Sequence, residues 1–260
     1  MTGSARGVLH PERLPTFHRL PAPDAVADLV RWFWIPEWDL PSGHTSRQEL
    51  VAYPATNLVV EPHLVGLSGP TTRLSFRELT GRGWAVGALL RPAAVPGLVD
   101  DPGSARDRYV PLELPELHGR VADAMTAGQP LGRRERAVGV FSAWLHARIP
   151  TVTEEAHLVN DLADMVEADS DILRVEDLAS RLGLSVRTVQ RLARRYVGLP
   201  PAAMIRRRRL QEAAERIRTE PGVDLAAIAA DLGYADQAHL TNDFRTVLGH
   251  TPGRYRDDSH

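Results

Sequence analysis

A repeat in the last third of the chain constrains its fold more than any other feature. Residues 178–184 align with residues 228–234, and four later positions recur in the same order at an offset of about 50 residues. These positions are Val189, Ala193, Gly198 and Pro201, which return as Leu240, Phe244, Gly249 and Pro252. Each copy combines a short apolar-periodic helix, a glycine suited to a positive-φ turn, and a second helix opened by a polar cap, Ser185 or Asp236. This order of elements predicts a helix-turn-helix unit that occurs twice.

The second helix of each unit is predicted to have one buried and one exposed face. In the first unit, the apolar face collects Val189, Leu192, Ala193 and Tyr196, and the polar face collects Arg187, Gln190, Arg191 and Arg194. Arginine and glutamine match the major-groove edges of guanine and adenine. In the second unit, the apolar face holds Leu240, Phe244, Val247 and Leu248, and the exposed face holds Ala238, His239, Asn242 and Arg245. Because this second face is less basic, we expect it to read fewer bases.

The segment between the two units is predicted to be one stiff helix. Pro200 and Pro201 suit the first turn of a helix, and residues 202–218 contain no helix breaker. Two reading helices on one side of B-DNA need a separation of one helical turn, about 34 Å, which such a spacer would fix. The arginine run 206–209 on this segment is either a solvated helix face or a set of phosphate contacts. Its place between two DNA-reading helices favours phosphate contact.

These stretches, with residues 233–240 and the ending at residues 249–256, resemble the AraC/XylS-type transcriptional regulators over roughly the last 100 residues. The resemblance implies a domain of seven helices whose third and sixth helices enter successive major-groove segments. It places base contacts at Arg187, Gln190, Arg191, Gln237, Ala238, His239 and Asn242, and Arg194 joins them from the same polar face. Asn242 departs from the family's pattern, since many members carry arginine there. We expect phosphate contacts from Ser185, Thr188, Arg195, Arg206, Arg207, Thr241 and Arg245.

Charge is distributed unevenly along the chain, although its formal net charge is only -2. Residues 153–184 hold two arginines and nine acidic residues, whereas residues 185–218 hold ten arginines and two acidic residues. Such polarisation suits a protein with one surface on phosphate and another towards solvent or a partner. The absence of cysteine excludes disulfides, thiolate metal sites and cysteine nucleophiles. No apolar run has the length of a membrane span, and no signal-peptide core is apparent, so we expect a cytoplasmic protein.

The first 150 residues have a different pattern, with short apolar runs bounded by turn residues. We predict a helix over residues 24–34, because Ala25, Leu29 and Phe33 would share one face below an Asp24 cap. Strands are predicted at residues 50–53, 57–61, 64–67, 73–79 and 84–90, and helices at residues 116–125 and 133–148. A further helix should run from a Thr153 cap to about residue 168.

These elements predict an α+β protein: a small amino-terminal β barrel or sandwich with flanking helices, followed by an all-α double helix-turn-helix domain. The expected domains are residues 1–152 and 153–257, with a tail at residues 258–260. The first domain loosely resembles the amino-terminal domain of one subset of AraC-type regulators. Helices after such domains often pair protomers in the family, which points to residues 116–148 for dimerisation.

No constellation of residues points to catalysis, and we expect no enzyme, cofactor or metal. His44 and His63 are loop or core histidines more readily than metal ligands, because no His-x-His pair accompanies them. Four tryptophans in the amino-terminal domain either build its core or line an apolar effector pocket. They are Trp32, Trp34, Trp38 and Trp84.

The sequence therefore predicts a sequence-specific transcriptional regulator controlled by its amino-terminal domain. Its expected partners are double-stranded DNA, a small-molecule effector, a second copy of the chain and RNA polymerase, with no membrane. One alternative is a constitutive architectural or co-regulatory DNA-binding protein whose amino-terminal domain only mediates association. A third hypothesis is an enzyme with an appended DNA-binding tail.

Overall fold

The computed structural model describes residues 16–50, 54–220 and 222–259. Its amino-terminal part contains the strands β1 (Thr16–Pro21), β2 (Val30–Asp39), β3 (Thr45–Leu50), β4 (Asn57–Glu61), β5 (Leu64–Ser68), β6 (Ser75–Thr80), β7 (Arg82–Trp84), β8 (Val86–Leu90) and β9 (Tyr109–Leu112). The main sheet has the order β1-β2-β8-β4-β5-β9, with β7 added beside β2, and β3 and β6 form a separate ribbon. Across the described strands the main sheet is an open path. A β-rich region followed by helices confirms the predicted fold class.

The main sheet packs on one face against helices, and on its other face the Trp34 ring of β2 lies against Gly87 of β8. Helices α1 (Pro115–Thr126) and α2 (Pro130–Arg148) pack on the inner face, where Phe33 of β2 meets Phe141 of α2 with ring centroids 5.5 Å apart. On the outer face, the Trp38 indole donates to the carbonyl of Thr80 in the ribbon at 3.1 Å. Burial from two sides explains why β8 is buried at every position rather than at alternate ones.

The predicted helix over residues 24–34 is wrong. The structure has only a short 3₁₀ turn at Asp24–Val26, followed by strand β2. The register of β2 against β8 shifts between Val30 and Trp32. Such a bulge places Val30 and Phe33, three residues apart, on the same buried face, and that spacing imitates a helix in the sequence.

The other predictions for the amino-terminal part match more closely. Residues 57–61 form β4 as predicted, β5 extends to Ser68, and residues 73–79 correspond to β6. The run at residues 84–90 is divided at Ala85 between β7 and β8, both of which pair with β2. Of the strand predicted at residues 50–53, residues 51–53 lie outside the described residues. Helix α2 begins at Pro130, earlier than predicted, because proline suits the first turn.

The carboxy-terminal part is helical throughout. Its described elements are α3 (Glu154–Ala168), α4 (Val175–Arg181), α5 (Val186–Tyr196), α6 (Pro201–Thr219), α7 (Leu225–Asp231), α8 (Gln237–Leu248) and α9 (Pro252–Ser259). The predicted connector is the uninterrupted helix α6. Its amino-terminal end contributes Met204 and Ile205 to one apolar core, and its later turns contribute Leu210 and Ile217 to another. Each helix-turn-helix unit therefore has its own core, and α6 belongs to both.

Helix α3 attaches the two parts of the chain to each other. The side chain of Asn160, 2% exposed, accepts from the Ala93 N–H at 3.0 Å and donates to the Asp28 carbonyl at 2.9 Å. Beside it, Asp164 accepts from both Arg31 and Arg91.

The division into domains at residues 1–152 and 153–257 stays a proposal. Within the described ranges, no helix is both long and apolar enough to span a membrane.

Candidate nucleic-acid interface

The two helix-turn-helix units have the same turn geometry. In the first, the Leu184 N–H donates to the Ala179 carbonyl at 2.9 Å around Gly183, whose φ is +64°. In the second, the Tyr234 N–H donates to the Ala229 carbonyl at 2.8 Å around Gly233, whose φ is +70°. Positive φ is the conformation for which glycine was predicted. The sequence repeat is thus a structural repeat down to its backbone hydrogen bonds.

The caps of the reading helices α5 and α8 confirm the predicted starts. The Ser185 side chain accepts from the Thr188 N–H at 3.1 Å, and the Asp236 side chain accepts from the His239 N–H at 2.7 Å. Each cap satisfies a backbone donor that would otherwise lack a partner in the first turn. Helix α5 ends before Gly198 and α8 before Gly249, both with positive φ. The length and start of each reading helix are therefore set by local sequence.

The exposed faces of α5 and α8 carry every side chain predicted to contact bases. Their apolar faces are buried at the predicted positions, with Val189 and Leu240 at 0% exposure. The exposed predicted residues are Arg187, Gln190, Arg191 and Arg194 on α5, and Gln237, Ala238, His239 and Asn242 on α8. Their contacts with DNA remain predictions, but the structure leaves them on the surface.

The α8 face is the less basic of the two. His239 packs edge-on against Tyr234, with ring centroids 5.1 Å apart. The Asn242 amide oxygen accepts from Arg245 at 3.1 Å, so these two side chains form a pair on the surface. An imidazole, an amide and an alanine offer fewer bidentate contacts than the α5 arginines do.

On α5, one acidic side chain contacts the basic face. Glu155, in the first turn of α3, accepts from Arg191 at 3.1 Å and from Arg195 at 2.8 Å. The Tyr196 hydroxyl donates to the same carboxylate at 3.2 Å. Hydrogen bonding from Arg191 is the largest influence that lowers the pKa of Glu155, so this carboxylate is ionised at neutral pH.

The phosphate contact predicted for Arg207 is wrong, because this side chain lies inside the protein. It is 3% exposed, and its three guanidinium nitrogens have no hydrogen-bond partner among the described residues. Burial lowers its pKa to about 10, and the Asp107 carboxylate partly opposes that shift. Four consecutive residues on a helix point in four directions, so an arginine run of this length cannot form one solvated face.

The remaining members of the arginine run also point in different directions. Arg208 is mostly buried and donates to the Ile172 carbonyl at 2.7 Å, and the Arg209 guanidinium lies 3.9 Å from the ring centre of Tyr234. Arg206 is partly exposed and lies 3.6 Å from Asp243 of α8. Of the phosphate contacts predicted on α6, only Arg206 therefore reaches the surface. Ser185, Arg195 and Arg245 are exposed as well, whereas Thr188 and Thr241 are half-buried.

The four tryptophans considered for an effector pocket do not lie together. Trp32, Trp34 and Trp38 occupy alternate positions of β2 and share its outer face, where the Trp34 indole donates to Asn57 at 2.9 Å. Trp84 is paired with Glu37, and it packs against the core beneath the sheet. Paired residues in neighbouring antiparallel strands point to the same side, so Trp84 belongs to the opposite face. The described residues contain no group of three or more histidine or acidic side chains placed to hold a metal.

Comparison with known proteins finds a match for each part of the chain. Residues 178–258 match the family described as "Helix-turn-helix domain". A putative AraC-like transcription regulator of Streptomyces antibioticus is 32% identical over 47% of this chain and 38% of its own length. Residues 178–258 are therefore similar to the helix-turn-helix domains of AraC-like regulators. Residues 18–111 match a family described as "Domain of unknown function (DUF6597)".

A second relative matches a larger share of the chain. The transcriptional activator NphR of Rhodococcus sp is 28% identical over 63% of the chain. That match spans 52% of NphR, so the chain covers about half or less of the length of these relatives. Among solved structures, ToxT from Vibrio cholerae aligns over 93% of this chain and 95% of its own, with 12% identity and a TM-score of 0.41.

The most informative side chain that sequence reasoning missed at this candidate interface is Glu155. An acidic residue in the first turn of a helix indicates by itself only a favourable interaction with the helix dipole. Its contacts with Arg191 and Arg195 join residues 36 and 40 positions apart. No local periodicity connects residues at that separation, so the sequence held no signal for this contact.

Proposed function

We propose that the chain is a transcriptional regulator that binds specific duplex DNA through α5 and α8. The observation that supports this function best is the pair of exposed polar faces, each on a capped helix that follows the same turn. A helix of this size fits the major groove, and arginine, glutamine and asparagine there can distinguish base pairs. The names of the related regulators point to the same activity.

We assign base reading mainly to α5. Arg187, Gln190 and Arg191 combine forked donors with amide donors and acceptors, and all three are exposed. Arg194, exposed on the same face, is a further candidate for a base contact, and Arg195 on that turn is placed to reach a flanking phosphate. On α8, Gln237 and Asn242 are the side chains suited to adenine, and Arg245 is suited to phosphate.

Binding-site selection from random duplex DNA, followed by titration of variants, tests this assignment. Replacing Arg191 by alanine should cost about 1–3 kcal/mol on the selected duplex and relax the preference at one base pair. Arg148→Ala, an exposed arginine at the end of α2, is the matched control and should leave both properties unchanged. If no sequence is enriched, or if the two variants behave alike, the assignment of function to α5 fails.

We further propose that the amino-terminal part controls DNA binding through α3, by changing the populations of alternative arrangements. The support is the set of contacts that Asn160 and Asp164 make with residues of that part. An apolar effector would fit best against the outer face of β2, where Trp32 and Trp34 lie half-buried. Tryptophan fluorescence and DNA affinity should then change together when a panel of small apolar compounds is titrated. If no compound changes both the tryptophan fluorescence and the DNA affinity, the alternative of a constitutive architectural protein gains support.

Two further partners remain proposals. The α1–α2 layer is our candidate for pairing two copies of the chain, because its outer side is exposed at Gly139 and Ala143. Light-scattering mass measurements should give twice the chain mass, and a monomer at micromolar concentration would exclude this pairing. RNA polymerase is the partner that activation of transcription would require.

A further inference from the structure

The carboxylate of Glu155 connects two arginines on successive turns of the reading helix. It accepts from a terminal nitrogen of Arg191 at 3.1 Å and from a terminal nitrogen of Arg195 at 2.8 Å. The Tyr196 hydroxyl, from a residue that is itself 6% exposed, donates to the same carboxylate at 3.2 Å. One acidic group on α3 thus fixes the directions of two basic side chains on α5.

These ion pairs leave most of each guanidinium accessible. The side chains of Arg191 and Arg195 are 54% and 60% exposed while they are paired. A guanidinium has five N–H donors in a planar fork, and each arginine engages Glu155 through one nitrogen only. The remaining donors can therefore meet a base edge or a phosphate without loss of the contact to Glu155.

Glu155 is itself held on a rigid support. Helix α3 starts at the Thr153 cap, whose hydroxyl accepts from the Ala156 N–H at 3.2 Å. Ala156 and Val159 are buried in the apolar core of the first helix-turn-helix unit. Further along the same helix, Asn160 is hydrogen-bonded to the amino-terminal part. A group that orients others is effective only when its own backbone is fixed, and this one meets that condition.

Fixing a long side chain before binding changes the ratio of the affinities for specific and non-specific DNA. A free arginine loses rotamer entropy when it docks on a base, and an arginine already held in place loses less. The carboxylate also repels phosphate, which weakens contacts that depend on charge alone. Both effects favour a bidentate base contact over an unspecific phosphate contact.

We propose that Glu155 is a positioning residue that determines sequence specificity, because it orients Arg191 towards a base and Arg195 towards the backbone of the DNA. This inference rests on the proposed function of α5. It predicts that loss of the carboxylate reduces the ratio of affinities for the selected and random-sequence duplexes, while affinity for random duplex rises or stays the same.

The test compares Glu155→Ala and Glu155→Gln with Glu154→Ala and Glu154→Gln in the full chain. Glu154 precedes Glu155 in the same first turn, is exposed, and carries the same charge, so it controls for net charge and the helix dipole. The probes are a duplex selected by the wild-type chain and a random-sequence duplex of equal length. We expect the Glu155 variants to lower the affinity ratio by about 3- to 10-fold, and the Glu154 variants to change it less than about 2-fold.

A double-mutant cycle separates positioning from a general structural role. If Glu155 acts through Arg191, Glu155→Ala should relax the same base pair as Arg191→Ala, and it should have no further effect on that base in the Arg191→Ala background. Thermal unfolding of each variant verifies that the fold is retained, and Glu155→Gln serves where the alanine variant is less stable.

Three outcomes would overturn the inference. They are an unchanged affinity ratio, an equal rise in affinity for both duplexes, and an effect that persists in full without Arg191. An equal rise would mean that Glu155 merely competes with DNA for the arginines. These results differ from failure of the proposed function itself, in which the wild-type chain would select no duplex at all.

Discussion

Replacing Asn160 by alanine should weaken the attachment between the amino-terminal part and the helical carboxy-terminal part. The side chain is 2% exposed and makes two hydrogen bonds, to the Ala93 N–H at 3.0 Å and to the Asp28 carbonyl at 2.9 Å. A buried group that loses its partner costs about 1–3 kcal/mol. With two groups affected, one of them only partly buried, we expect a loss of roughly 2–4 kcal/mol.

Urea unfolding with two probes measures this effect. All five tryptophans precede residue 152, so their fluorescence reports on the amino-terminal part, whereas most helical residues follow it and dominate far-UV circular dichroism. In the wild type the attachment should make the two transitions coincide, and Asn160→Ala should separate them as well as lower stability. Asp161→Ala, at the exposed next position, is the control and should change neither. A loss below about 0.5 kcal/mol with coincident transitions would refute the reasoning.

Two further tests concern other contacts of the carboxy-terminal part. Gly198→Ala should cost at least twice as much stability as Gly183→Ala. Both glycines have positive φ, which costs an alanine about 1–2 kcal/mol. At Gly198 the added methyl would also lie 2.5 Å from the Pro102 carbonyl oxygen. Equal losses in thermal unfolding would mean that the loop at Pro102 moves freely. Arg207→Met should stabilise the protein by about 1–3 kcal/mol, because it removes a buried guanidinium without hydrogen-bond partners. Burial holds the pKa of Arg207 at about 10, below its unfolded value, so the cost is complete below that pH and the gain should shrink as the pH rises through it. A less stable variant would show that attraction to Asp107 outweighs the loss of solvation.

Local chemistry made the helix-turn-helix units predictable from the sequence. Gly183 and Gly233 adopt positive φ, and Ser185 and Asp236 accept the hydrogen bonds expected of N-caps. Each of these features depends on residues fewer than six positions apart. The faces of α5 and α8 followed for the same reason, since helical periodicity alone decides which side chains share a side.

The sequence was less informative wherever distant segments meet. The bulge near Val30 gave a strand the spacing of a helix, and the position of Trp84 depended on its register against β2. Arg207 belongs to a run of four arginines, which in the sequence suggests exposed side chains. Its helix, however, packs on two sides, and Arg207 lies on one of them. Contacts such as that between Glu155 and Arg191 arise only after α3 packs against α5, so residue pattern could not reveal them.

The central claim is that α5 and α8 read two neighbouring segments of one duplex, and hydroxyl-radical footprinting on a selected duplex tests it most directly. We predict two protected segments on one side of the DNA, with centres about one helical turn, or 10 base pairs, apart. A single protected segment, or two segments at a spacing unrelated to the helical repeat, would contradict the claim.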